Sequence, residues 1–260
     1  MAEPKRIPAT RAATAPTPER LASVERELAD FSYIVSHDVE AAVRHITAFS
    51  RLLIEDFEGE LTERQQAYAD HVQTAGARCQ AMMEQLLAFS RAQQKPMEPA
   101  LRDATPTVQL ALLALAAEGG TAGAEITLDP LGEVVADPAL LTDLFHRLID
   151  NALKFGRPGV RPRIDIRPAH DEQMWRVRIT DNGVGVPAAQ REKVFGMFQR
   201  LHGDDRYPGV GAGLTICRRI ARRHGGEVRF LGHDDGACVE LALPRPPPAA
   251  DRPIQKRKGR

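Results

Sequence analysis

Apolar residues in the first third of the chain recur at three- and four-residue steps: Leu21, Val24, Leu28, Phe31 and Val35, then Ala42, Ile46, Phe49 and Leu53. That spacing puts a single apolar stripe on one long helix. The segment Asp56–Leu61, with Gly59, interrupts it, and Thr62 followed by Arg64 and Gln65 predicts a second helix start. A second stripe follows through Tyr68, Val72, Ala75, Cys79, Met82, Leu86 and Phe89. Two long amphipathic helices joined by a tight turn make a helical hairpin over residues 21–94. Such a hairpin leaves much of its stripe in water, so pairing with a second copy into a four-helix bundle is the expected remedy. A hairpin packed only on its own chain is the plainer alternative.

The pattern changes on both sides of the hairpin. Residues 1–20 are rich in Pro, Ala, Thr and Arg without an apolar period, which predicts a disordered lead-in. Residues 95–106 carry Pro96, Pro99 and Pro106 and read as a linker. Residues 107–244 then mix periods. A short helix is expected at about 107–117, and strands near 124–128 and 133–136. A helix follows over Asp137–Phe155, with Asp137 as N-cap and Pro138 at its first position. Strands are expected around Arg163–Arg167 and Met174–Thr180, then a helix over 211–224. A closing hairpin pairs Glu227–Leu231 with Ala237–Leu243 through the turn His233–Gly236. The sum is an α/β sandwich, a mixed sheet with helices on one face. Residues 245–260 are Pro-rich and then basic, a solvated tail.

Composition narrows the function classes. Lys plus Arg and Asp plus Glu are equal at 35 each, so no global field draws the chain to nucleic acid or an anionic membrane. The longest apolar run, Leu110 to Ala117, is far short of the roughly 20 residues that span a bilayer. The N-terminus has basic residues but no apolar core of a secretory signal. Cys79, Cys217 and Cys238 are odd in number and lack metal-ligand spacing, which fits buried thiols in a reducing cytoplasm.

Four features of the second domain carry candidate chemistry. Asn151 and Lys154 share one face of the helix 137–155. An amide oxygen there can ligate Mg²⁺ and an ammonium can meet a phosphate, although such residues usually just solvate a helix. Asp181-Asn182-Gly183-Val184-Gly185 follows a strand. Its glycines let the backbone approach a flat ligand, and its carboxylate can accept from an exocyclic amine, unless it is an ordinary strand-to-helix turn. Phe195 and Phe198 stand three apart, a spacing commoner in cores than in recognition. Gly209-Val210-Gly211-Ala212-Gly213-Leu214 opens the helix 211–224, where backbone N–H groups and the helix dipole suit a phosphate. No Lys-Ser/Thr pair follows, so this is not a P-loop, and no βαβ unit frames a dinucleotide fold. The polar segment Gln199–Pro208, with His202, Asp204 and Asp205, reads as a mobile lid.

Taken together these features resemble the N, G1, F and G2 boxes of sensor histidine kinases, in order and at the family's approximate spacing. Upstream, Ser36-His37-Asp38-Val39 resembles the family's H box, placed on the first helix of the hairpin. The resemblance covers about Leu21 to Pro244. It implies a nucleotide fold in which ATP lies between the sheet and the lid. Asn151 would hold Mg²⁺, Lys154 would contact phosphate and Asp181 would read the adenine amino group. Gly183, Gly185, Phe195, Phe198, Gly209, Gly211, Gly213 and Leu214 would complete the nucleotide boxes. His37 would be the phosphoryl acceptor, with Asp38 orienting its ring, before transfer to an aspartate of a response-regulator receiver domain. A homodimer is implied; since only about thirty residues precede His37, either a separate sensor protein supplies the signal or the chain is a fragment of a longer one.

Three positions depart from the family pattern. Ala41 and Ala42 replace the usual Thr or Asn and Pro, which predicts a straighter first helix and weak or absent phosphatase activity. Arg147 stands four residues before Asn151, where the family commonly has Asn, and its role is open between contacting phosphate and disrupting the site. Without a Glu there, a hydrolytic water lacks its base. The rival readings are a degenerate kinase acting as a dimeric docking module, a phosphotransfer protein, and a related ATPase or serine kinase.

Overall fold

The computed structural model describes residues 39–57, 61–94 (91–94 as backbone only), 96–201, 207 and 209–245. His37 and Asp38 therefore lie outside the described residues. So do residues 1–20, the stripe from Leu21 to Val35, Gly59, the tail beyond Arg245, and His202, Asp204 and Asp205 of the expected lid.

A helix α1 covers residues 39–55, including Ala41 and Ala42, and α2 runs over Glu63–Gln94. Thr62 and Gln65 cap α2 reciprocally. The Gln65 amide donates to the Thr62 hydroxyl at 3.3 Å, and Gln65 Oε1 accepts from the Thr62 N–H at 2.9 Å. Thr47 of α1 lies directly against Gly76 of α2, where any larger residue would collide with it. The expected stripe is only partly covered: Ile46, Phe49, Leu53 and Tyr68 are all more than half exposed.

After the hairpin the order is β1 (Ala100–Asp103), α3 (Thr105–Ala117), β2 (Glu125–Leu128), β3 (Glu133–Ala136), α4 (Pro138–Lys154), β4 (Arg163–Ala169), β5 (Met174–Asp181), α5 (Gly213–Arg223), β6 (Glu227–Leu231) and β7 (Ala237–Pro244). The main sheet has the order β2-β4-β5-β7-β6. β2 pairs parallel with β4 and every other neighbour is antiparallel, giving the mixed sheet. Asp137 caps α4 through Oδ1, which accepts from the N–H groups of Ala139 and Leu140, with Pro138 at the first helical position. Two short 3₁₀ turns, Ala188–Gln190 and Lys193–Phe195, lie between β5 and α5.

One core forms between the helices and one face of the sheet. Leu141, Leu144, Phe145 and Ile149 of α4 and Ile216 and Ile220 of α5 meet Ile164, Ile166, Ile179 and Leu241 of the strands, all essentially fully buried. The alternation of buried Trp175, Val177 and Ile179 with Arg176 and Arg178 leaves the other sheet face polar. There Glu240, 1% exposed, accepts from Arg176, Arg178 and Arg229.

Part of the segment read as linker is a strand. β1 pairs antiparallel with β3, Leu101 opposite Val135, and Glu98 N–H donates to Asp137 Oδ2 at 2.9 Å. Four residues flanked by prolines carry no period long enough to announce themselves as a strand; the distant partner strand, with Leu101 opposite Val135, supplies the reason for the fold there.

Candidate functional site

The elements converge on a cleft of about 270 Å³ between α4, the end of β5 and the start of α5. Asn151, Lys154, Asp181, Gly185, Gly209, Gly211, Gly213 and Leu214, all singled out by sequence, line it together. Gly183, Phe195 and Phe198 do not. Gly183 is packed against the Phe155 carbonyl and donates to Asp181. Phe195 is 3% exposed, with its ring 5.6 Å from that of Phe230 and the Arg218 guanidinium 4.0 Å above it. Phe198 is half-buried at φ 60, a left-handed conformation for a non-glycine residue, in a turn closed by Gln199 N–H to the Gly196 carbonyl at 3.3 Å. These two aromatics shape the chain that flanks the cleft.

The apolar end holds Ile179, Val186, Val194, Phe230 and Val239, with Asp181 beside them. Burial pushes the Asp181 carboxyl above the usual carboxylate range, against hydrogen bonds donated by Gly183 at 2.8 Å and Ala237 at 3.2 Å. Both bonds end on Oδ1. A flat apolar wall with one carboxylate at its edge fits a heteroaromatic base that offers an amino group.

The opposite end is cationic and rich in N–H donors. Burial lowers the Lys154 ammonium below an ordinary lysine, Asp150 opposes that, and Arg200 adds to it. Lys154 Nζ sits 5.2 Å from the Phe155 ring centroid and occupies the space beside Gly209 where a Cβ would stand. α5 begins at Gly213 after Ala212, whose side chain cannot cap it, so its first N–H groups are left for an anion. Gly211 holds φ 76, and a Cβ there would strike the Gln199 carbonyl, so only glycine lets the strand of chain pass beneath α5.

Asn151 tests whether a metal-bound nucleotide fits. Its Nδ2 is buried in the cleft, with no hydrogen-bond partner among the described residues. A buried amide without a partner costs about 1–3 kcal/mol, and a ligand at the start of α5 would relieve it. No group of three metal-ligating side chains occurs among the described residues. The orphaned Nδ2 is a donor and calls for a phosphate oxygen, whereas a cation here would rest on the Asn151 amide oxygen and on ligand oxygens, as Mg²⁺ does with phosphates.

Several lining residues escaped the sequence reading. Tyr207 is 7% exposed, its ring lies 5.0 Å from that of Phe155 at a tilt of 52°, and its carbonyl accepts from Arg200 at 2.8 Å. Phe155 directly follows Lys154, and that adjacency was the one local signal available. Gln85 reaches the cleft from α2. Arg147, which the sequence had singled out, is tied to Asp143 and Gln85 and lines the cleft.

Residues 136–247 match the family model described as the histidine kinase-, DNA gyrase B-, and HSP90-like ATPase. The chain is 30% identical over 235 residues to cyanobacterial phytochrome A of Nostoc sp., covering 90% of this chain. It is 29% identical over 235 residues to the methanogenesis regulatory histidine kinase FilI of Methanothrix harundinacea, covering 88% of this chain.

Residues 136–247 thus carry this ATPase domain, and the chain resembles the kinase region of sensor histidine kinases over most of its length.

The chain spans only 30% and 26% of those two relatives. Its fold is shared with the histidine kinase ThkA solved in complex with the response regulator protein TrrA, at a TM-score of 0.59 and 18% identity over 88% of this chain and 65% of that one. No helix among the described residues of the chain is long and apolar enough to cross a membrane.

Proposed function

We propose that this chain phosphorylates itself on His37 with ATP held in the cleft, then passes the phosphoryl group to an aspartate of a response-regulator receiver domain. The observation that carries this reading is the convergence of Asn151, Lys154, Asp181 and the glycine-lined start of α5 on one cleft.

The residues divide the work by chemistry. Asp181 would accept from the adenine amino group while the apolar wall covers the ring. Asn151 would hold Mg²⁺, which supplies charge neutralisation at the phosphates when bound. Lys154 and the α5 N–H groups would meet phosphate oxygens. A neutral His37 nitrogen would form the bond to the terminal phosphorus as the bond to the bridging oxygen of ADP breaks. Asp38 would take up the proton on the ring's other nitrogen. With Arg147 four residues before Asn151, no carboxylate stands there to activate water, which favours transfer over hydrolysis.

The exposed Ile46, Phe49, Leu53 and Tyr68 support a homodimer through the hairpin. A cytoplasmic setting, a sensor supplied by a separate protein, and weak phosphatase activity owing to Ala41 and Ala42 belong to the same reading.

Incubation with γ-labelled ATP is the test. Acid-labile, base-stable label should appear on the wild-type chain and be absent from His37→Gln. Label on another side chain, or none despite bound nucleotide, would overturn the assignment.

A further inference from the structure

Arg147 bridges the two halves of the chain. Its Nε donates to Asp143 Oδ1 at 2.9 Å, one turn back on α4, and its Nη1 donates to Gln85 Oε1 of α2 at 3.2 Å. Asp143 fixes one edge of the guanidinium and aims the other at α2. The same stretch of α2 is seated on the ATPase domain: Leu87 and Ser90 are buried, Ala88 and Phe89 pack against its core, and the Arg219 guanidinium lies 6.0 Å from the Phe89 ring centroid. Arg147 and Gln85 also line the nucleotide cleft, and Asn151, with its unpartnered buried amide nitrogen, stands one helical turn from Arg147.

One guanidinium edge thus has two rival acceptors, a neutral amide oxygen of α2 and any anion that enters the cleft. An anionic oxygen adds charge–charge attraction to the guanidinium that the neutral amide oxygen of Gln85 cannot offer. We propose that Gln85 and Arg147 form a phosphate-sensitive latch, which holds α2 on the ATPase domain in the nucleotide-free state and releases it when Arg147 turns to the phosphates. Arg147 is then a positioning residue for the hairpin, and its departure from the usual Asn is the device that couples nucleotide to α2. By linkage the coupling runs both ways: a bound nucleotide loosens α2, and a seated α2 weakens phosphate binding. This inference rests on the nucleotide reading of the cleft.

The test uses the full 260-residue chain and magnesium AMPPNP, with adenosine as the probe lacking phosphate. Gln85→Leu should tighten AMPPNP binding about tenfold, the scale of one charge-assisted hydrogen bond, and leave adenosine unchanged. Gln85→Glu, which strengthens the latch, should weaken AMPPNP binding. In an Arg147→Ala background the Gln85→Leu gain should vanish. Independently, amide hydrogen exchange over residues 81–90 should quicken in the wild type when AMPPNP is added. Unchanged affinity in Gln85→Leu, a gain that persists without Arg147, or slower exchange on nucleotide addition would each overturn the latch. Failure of the wild type to bind any nucleotide would instead remove the proposed function on which the latch depends.

Discussion

Asp181 and Gly183 are joined by one hydrogen bond, 2.8 Å from the Gly183 amide to Asp181 Oδ1, and the Ala237 amide shares the same oxygen. The turn after β5 therefore consumes one carboxylate oxygen and leaves the other for a ligand. Asparagine can keep the first role and not the second. Asp181→Asn should lower AMPPNP affinity about tenfold to a hundredfold, because an amide donor would face the adenine amino group.

The same substitution carries a pH signature. Burial holds the folded-state pKa of Asp181 above its unfolded value. The folded protein then binds the extra proton, so this residue's contribution to stability falls as pH rises from the unfolded pKa through the folded one. Above that window, Asp181→Asn should leave nucleotide-free thermal stability unchanged or higher. Thermal melts at pH 4 and pH 7 check the sign: a mutant less stable than wild type at the higher pH would contradict it.

Asn151 should behave similarly for a different reason. Its Nδ2 has no partner among the described residues, so Asn151→Ala removes an unsatisfied group and should not reduce the melting temperature. Calorimetric titration should show a large loss of affinity for magnesium nucleotide and a small one for nucleotide in excess chelator.

Gly211 and Gly213, two residues apart, should respond in opposite ways. Gly211 is held at φ 76 against the Gln199 carbonyl, so Gly211→Ala should destabilise the fold by about 1–3 kcal/mol. At Gly213 the nearest neighbour of an added Cβ is Asn151 Nδ2 at 3.8 Å, an ordinary contact. Gly213→Ala should keep or raise stability within α5 and weaken phosphate binding by crowding the helix start. Denaturant melts alongside nucleotide titration separate the two effects.

Glu240 is the carboxylate on which the polar sheet face depends. Burial disfavours its charge, but hydrogen bonds from Arg229 and Arg178 bring its pKa below the usual range. A depressed pKa contributes stability that is present above the unfolded value and lost as pH falls toward the folded one. Glu240→Gln should cost about 2 kcal/mol at neutral pH, reduced from the figure for a sealed pair because Arg178 and Arg229 are half-exposed. The gap between mutant and wild type in urea melts should narrow below pH 4.

Much of this molecule is local and could be read along the chain. An amphipathic period placed α2, Asp137 and Pro138 set the start of α4, and the order of the glycine boxes pointed to a phosphate site at the start of α5. Such features depend on residues within a turn or two of each other, and local spacing encodes them. Only the tertiary structure assigned the rest, because its causes lie far apart in sequence. β1 is a strand because β3 pairs with it, and Phe195 is core because Phe230 and Arg218 enclose it. Arg147 points to α2 because Gln85, 62 residues earlier, is folded against it. A side chain's neighbours across the fold are chosen by packing and by the need to pair buried polar groups, and no short window of sequence contains that choice.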